Sequence, residues 1–202
     1  VYAMSTFFTA LTLWSLLKWY YLPDTQHSDR WIVFSLFMAG LSIGVHLLSI
    51  LTFPALAIFY YLKKFNKFTW TGLLISIVAG LVVLFIVQRV IIVGLPDLLV
   101  SLDIFAVNSL GLPFYSGLVP FFAIIGGLLY WGIKKANSRG MHNLQLGLVS
   151  LMLIIVAYST TTVAVIRANA NPPINMNNPS DPARLVPYLN REPVSYTHLR
   201  AH

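Results

Sequence analysis

Few side chains in this sequence could take part in chemistry, and their types suit the grip of an anion better than bond-making. His46 is the one histidine in an apolar run over 31–62 that holds no Asp or Glu. Arg89 follows the basic cluster Lys63, Lys64 and Lys67 by about 20 residues. On a helix that is ~30 Å, the thickness of a bilayer core. Arg167 closes the last apolar stretch. Three potential cations at one membrane depth could hold the phosphate of a lipid carrier, because the guanidinium fork matches phosphate geometry. The plainer alternative is that Arg89 and Arg167 snorkel to headgroups independently. Asp97 and Asp103 do not share a helix face, and helix capping accounts for Asp97. No H-E-x-x-H, G-x-x-x-x-G-K-[ST] or G-x-S-x-G occurs, and there is no cysteine. No metal site, cofactor site or catalytic residue can be assembled from these residues.

The elements that must position these groups are membrane spans. Of 202 residues 57% are apolar and 9% charged, where a soluble domain carries roughly 25% charged residues. The sequence therefore reads as an all-α polytopic membrane protein. The net charge of +7 resides largely in loops and does not indicate nucleic-acid binding. Apolar segments lie at 2–17, 31–48, 52–62, 70–93, 117–133 and 144–166, about six in all. The 31–62 run is too long for one upright helix, since 32 residues would reach ~48 Å. It is either one steeply tilted helix or two short segments that turn at the far face. Pro54 cannot donate to a helix ladder, so a break is expected just before it. Within the run, Gly40 and Gly44 permit close helix approach. Ser35, Ser42, His46 and Ser49 share one helix face. That stripe is either a packing face or the wall of a site. Residues 95–116 are less apolar and are expected to form an interfacial helix near 96–107, then a turn at Gly111-Leu112-Pro113. Asn108, Tyr115 and Ser116 would then border an outer cavity.

Orientation follows from Lys and Arg. Loops 18–30, 63–67 and 134–139 hold eight of the thirteen basic residues, while 49–53 and 94–116 hold none. Basic loops inside and neutral loops outside alternate only if 31–62 is two segments. The sequence divides into a partial transmembrane domain over 1–167, a Pro/Asn-rich lead-in to an extracytoplasmic region over 168–193, and a tail over 194–202. It starts within an apolar pattern, as a fragment of a longer chain would.

Four stretches together carry a resemblance: VYAMSTFFTALTLW, GLSIGVHLL, NSLGLPFYSG and NPPINMNNPSDPARLVPYLNREP. They resemble a bacterial membrane family, first described as a domain of unknown function. That family is related to the eukaryotic transmembrane protein O-mannosyltransferases of the GT-C glycosyltransferase class. The resemblance runs from Val1 to Pro193. It implies a partial GT-C-like bundle in the cytoplasmic (inner) membrane. The enzyme it implies moves a sugar from a polyprenyl-phosphate donor to an extracytoplasmic protein or glycan acceptor, as in protein O-mannosylation. It also places the acidic catalytic loop upstream of Val1. It puts a basic residue where a short span turns at the outer face, the place His46 holds here. Histidine in place of lysine makes that charge depend on pH. With the reading of the residues above, the candidate substrate-binding set is His46, Arg89, Asn108, Tyr115, Ser116 and Arg167, of which the resemblance supports His46. Residues 194–202 do not continue the family pattern and look like translated adapter sequence. A transporter or flippase for a lipid-linked or small polar substrate is the competing reading, because broken helices with polar residues serve transport too. A non-catalytic membrane scaffold is a third.

Overall fold

The computed structural model describes residues 2–23, 25–65, 68–170, 172, 173, 175 and 178–190. Among them every regular element is helical. The tail over 194–202 lies outside the described residues. In chain order the elements are α1 (Tyr2–Tyr21), α2 (Gln26–Val45), a 3₁₀ turn (Leu47–Leu51), α3 (Thr52–Lys64) and α4 (Trp70–Ile86). A π-helical segment (Val87–Gly94) leads into α5 (Leu95–Leu110). Then come α6 (Leu118–Ser138), α7 (His142–Tyr158), a 3₁₀ turn (Ser159–Thr161), α8 (Thr162–Asn169) and α9 (Pro182–Asn190). The helices divide between two compact units, Val1–Arg89 with Ile124–Thr161, and Val90–Ala123 with Thr162–His202. Four helical stretches are long and apolar enough to cross a bilayer: His27–Val45, Trp70–Leu110, Leu118–Ser138 and His142–Asn169. α1 is long enough at 20 residues but diluted by Ser and Thr, and α3 has only 13 residues. An all-α, multi-span membrane protein is what these elements build.

The first unit is held together by a seam of small hydroxyls. α1 offers Ser5, Thr9, Thr12 and Ser15 at helical spacing. Thr12 and Ser15 donate to their own helix, at Phe8 O (2.8 Å) and Leu11 O (2.8 Å). From α2, Ser35 donates to Thr12 O at 2.8 Å, and Ser42 lies 3.3 Å from the Thr9 hydroxyl. Ser5 meets Ser49 at 2.9 Å. Ser35, Ser42 and Ser49 are all buried. The polar stripe foreseen on α2 is therefore a packing face: its serines are satisfied by α1. Small side chains let the two backbones come close, and the interhelical hydrogen bonds add about 0.6 kcal/mol each on average. The pairing also fixes direction. Ser5 sits near the end of α2 while Trp19 Nε1 reaches Asp29 Oδ1 (3.4 Å) near its start, so α1 and α2 are antiparallel.

After α2 the chain turns back. The break expected just before Pro54 lies earlier and is wider. α2 ends at Val45, His46 is extended (φ −154°, ψ 118°), and the 3₁₀ turn precedes α3. Pro54 falls in the first turn of α3, where its missing N–H is one the helix leaves unpaired anyway. α3 then runs back along α1. Tyr60 stacks on Trp19 (5.9 Å, 10°), and Lys63 Nζ donates to Trp19 O and to Leu22 O (3.1 Å). Trp19 is fully buried, with Lys63 4.2 Å above its ring, a cation–π contact. Residues 31–62 are thus two segments, not one tilted helix.

Two glycine contacts set the other helices. A Cβ on Gly40 would lie 2.9 Å from Ala157 Cβ and 3.1 Å from Ile154 O, so α2 and α7 touch backbone to backbone. At the other end of the same pair, His142 Nε2 lies 2.6 Å from Asp29 Oδ2, which makes α2 and α7 parallel. A Cβ on Gly80 would lie 2.6 Å from Pro54 Cα, and Tyr61 Oη pairs with Thr69 Oγ1 at 3.1 Å, so α4 runs antiparallel to α3. Asn137 lines a small cavity with Asp29, Arg30 and His142. The described parts of loops 18–30, 63–67 and 134–139 therefore meet at one end of this unit, and the 46–51 break lies at the other.

In the second unit the expected helix near 96–107 is present as Leu95–Leu110, but Pro96 and Asp97 do not begin it afresh. Helical bonding is unbroken from Trp70 to Leu110. Pro96 lacks an N–H and its ring clashes with the carbonyl four residues earlier; the π-helical segment lies where that demand falls. The helix stops at Gly111, whose φ of 64° suits glycine. Leu112 N and Gly111 N return to Ala106 O (3.2 Å) and Val107 O (3.1 Å). The Pro/Asn-rich segment is ordered where described: Asn169 Nδ2 donates to Ser180 O (2.7 Å), and Asn175 Nδ2 to Asn178 Oδ1 (2.8 Å). It carries α9, whose Asp181 caps it through Arg184 N (2.8 Å), and which buries Leu185 and Leu189.

Candidate functional site

His46 caps α2 at the end opposite the basic loops. Its N–H donates to Ser42 O at 2.8 Å, and its ring lies 5.3 Å from that of Tyr2 with the planes tilted by 44°. The backbone at His46 is extended, and the residue is partly exposed. Arg89 is exposed in the π-helical segment. Its depth can be counted from the Gly80–Pro54 contact. Arg89 is nine residues beyond Gly80, or about 13 Å further along the helix. From Pro54 back to His46 the path is two α-helical steps and the five-residue 3₁₀ turn, also about 13 Å. Counted along the helix axes, His46 and Arg89 reach a similar level beyond the α3–α4 contact.

The remaining candidates belong to the second unit, as members of one helix end or turn. Asn108 is exposed in the last turn of α5. Tyr115 is exposed with a left-handed backbone (φ 70°), a conformation unusual for an aromatic residue. Ser116 Oγ is buried with no hydrogen-bond partner among the described residues. Arg167 is exposed in the last turn of α8. Within this unit Gly117 N donates to Asp103 Oδ1 (3.0 Å), and a Cβ on Gly117 would lie 2.4 Å from Asp103 Cα. Asp103 thus anchors the turn that carries Tyr115 and Ser116. The sequence stretch NSLGLPFYSG is this helix stop and turn.

One polar cluster went unread in the sequence. Asp29 is buried and accepts from Trp19 Nε1 and faces His142 Nε2. The pairing joins positions 113 residues apart, so the local sequence around neither residue signals it. Arg30, Asn137 and Gln145 share the adjoining cavity of about 350 Å³. A larger, mostly apolar groove of about 950 Å³ opens among α2, α3 and α4. Among the described residues no group of three His, Asp or Glu side chains is placed to ligate a metal.

No curated protein and no solved structure matches the chain. A family model does match, over residues 1–69. That stretch is α1, α2, the 3₁₀ turn, α3 and the loop after it, and it holds His46 but none of the other five candidates. NSLGLPFYSG and the Asn/Pro-rich segment fall beyond it. Through α1 to α3 the chain is thus similar to the N-terminal domain of the protein O-mannosyl-transferase TMEM260.

Proposed function

We propose that this chain is part of an integral membrane glycosyltransferase of the GT-C class. In this reading it transfers a sugar from a polyprenyl-phosphate donor to an acceptor on the side away from the basic loops, mannosylation of protein hydroxyls being one form. The observation that carries the reading is the O-mannosyl-transferase match over residues 1–69. The geometry adds support. The matched hairpin turns at His46, and Arg89 reaches a similar level on the neighbouring helix pair. A phosphate there would meet one planar guanidinium and one imidazole, and charge-assisted hydrogen bonds of that kind contribute roughly 1.5–3 kcal/mol each before the discount for solvent at an exposed site. Within the second unit, Asn108, Tyr115, Ser116 and Arg167 are proposed separately as substrate-binding residues. The bacterial relationship and the cytoplasmic membrane belong to the same proposal. The test is sugar transfer from a polyprenyl-phosphate mannose in membranes carrying the full-length protein. Transfer lost on Arg89→Ala supports the reading. Movement of the lipid-linked sugar across the membrane with no transfer would favour the flippase reading, to which the break at 46–51 and the π-helical segment also lend themselves.

A further inference from the structure

The groove among α2, α3 and α4 has a polar end and an apolar length. Its mouth is formed by Lys64, Tyr60, Thr69 and Thr71, at the end where the basic loops meet. Its walls are Leu36 from α2, Phe53 and Leu56 from α3, and Ile75, Ala79 and Val83 from α4. Ser76 also lines it, but its hydroxyl donates to Leu73 O at 2.7 Å and makes no polar demand on an occupant. From Thr71 to Val83 is twelve residues, or about 18 Å along α4. One leaflet of a bilayer core is about half of ~30 Å. The groove is therefore as deep as an acyl chain is long, and its polar groups lie only where a headgroup would.

We infer that this groove is a binding site for one anionic phospholipid of the leaflet on the basic side. An acyl chain lies along Phe53, Leu56, Ile75 and Ala79, and the phosphate faces Lys64 and the hydroxyls of Tyr60 and Thr71. Charge selects the head: Lys64 lines the mouth, Lys18, Arg30 and Lys63 lie at the same end of the unit, and basic pockets between membrane helices draw anionic headgroups. A transmembrane helix in the groove would have to set apolar side chains against that cationic, hydroxyl-rich mouth. The site is at the opposite end of the unit from His46 and does not depend on the transferase reading.

Native mass spectrometry of the delipidated protein, titrated with phosphatidylglycerol and with phosphatidylcholine of the same chains, tests the inference. One phosphatidylglycerol is expected to be retained in preference to phosphatidylcholine. Lys64→Ala should cut that preference about five-fold, the effect of one basic side chain near an anionic headgroup. Lys64→Arg should keep it. Ala79→Trp should abolish retention of both lipids, and the milder Ala79→Leu should weaken it if the tryptophan variant does not fold. Equal retention of the two lipids, or full retention in the folded Ala79 variants, would overturn the site. The chain has no cysteine, so Ala79→Cys is a unique probe. Its protection from an apolar maleimide in lipid-free detergent would show polypeptide in the groove and equally overturn the inference.

Discussion

Replacing Gly80 by alanine should loosen the contact from which the depth of Arg89 is counted. The added Cβ would lie 2.6 Å from Pro54 Cα, 3.1 Å from Ala57 Cβ and 3.3 Å from Pro54 N. Carbon atoms pack best at about 3.5–4.0 Å, and two of these three neighbours are backbone, which cannot rotate away. α3 and α4 must separate by about 1 Å, and overpacking of that kind costs about 1–3 kcal/mol. Alanine returns about 1 kcal/mol through helix propensity, leaving a net loss of about 0–2 kcal/mol. Gly80→Leu should cost more and detach α4 from α3. Gly126 and Gly127 in α6 are matched controls: none of the described residues lies within 4 Å of a Cβ at either, so alanine there should stabilise by up to ~1 kcal/mol. Thermal unfolding of the three alanine variants in one detergent reads the difference. Gly80→Ala as stable as Gly126→Ala would refute the close α3–α4 contact.

Ser35→Ala should cost about 0.6 kcal/mol and at most about 1.7 kcal/mol, the range of an interhelical hydrogen bond, while activity per folded molecule stays unchanged; full stability with lost activity would make the stripe a site wall after all. Asp29→Ala should cost about 1–3 kcal/mol, because Trp19 and His142 lose an acceptor. The half-exposed His142 keeps the ionic share small. A double-mutant cycle with His142→Ala should show coupling, and additive effects would deny the pairing. Single cysteines at His27, Phe65 and Asn137 should resist an impermeant maleimide added from outside while one at Leu51 reacts; labelling of any of the first three would reverse or break the proposed orientation.

Membrane character, segment positions and the gathering of basic loops were legible because each follows from composition or from lengths set against bilayer thickness. The two-segment nature of 31–62 was legible for the same reason. The place of its break was not, since LLSIL is apolar and favours no turn by itself. The break is fixed laterally, by Ser49 meeting Ser5. Period alone put Ser35, Ser42 and Ser49 on one face but could not name their partners, although Ser5, Thr9 and Thr12 repeat on α1 with the complementary spacing. The π-helical segment left no local trace beyond Pro96. The Asp29–His142 pair left none, being a contact of distant segments. α9 could have been found, because Asp181-Pro182 is a cap followed by a helix-starting proline. Of the site, the sequence supplied residue types; Gly80, Pro54 and the 3₁₀ turn supply the levels of Arg89 and His46, which spacing could only approximate.

The most direct measurement is donor use by the full-length protein with Arg89 replaced. One or two charge-assisted hydrogen bonds to phosphate, discounted for solvent at an exposed site, amount to about 1.4–2.8 kcal/mol. Transfer from a polyprenyl-phosphate sugar, measured in membranes against donor concentration, should therefore fall about ten- to a hundredfold in Arg89→Ala. Arg89→Lys should recover part of it, because the charge returns without the planar fork. His46→Ala should do less than Arg89→Ala, since one imidazole nitrogen offers a single donor. Unchanged donor dependence in Arg89→Ala, at normal expression, would contradict the account and leave Arg89 a cation reaching for headgroups.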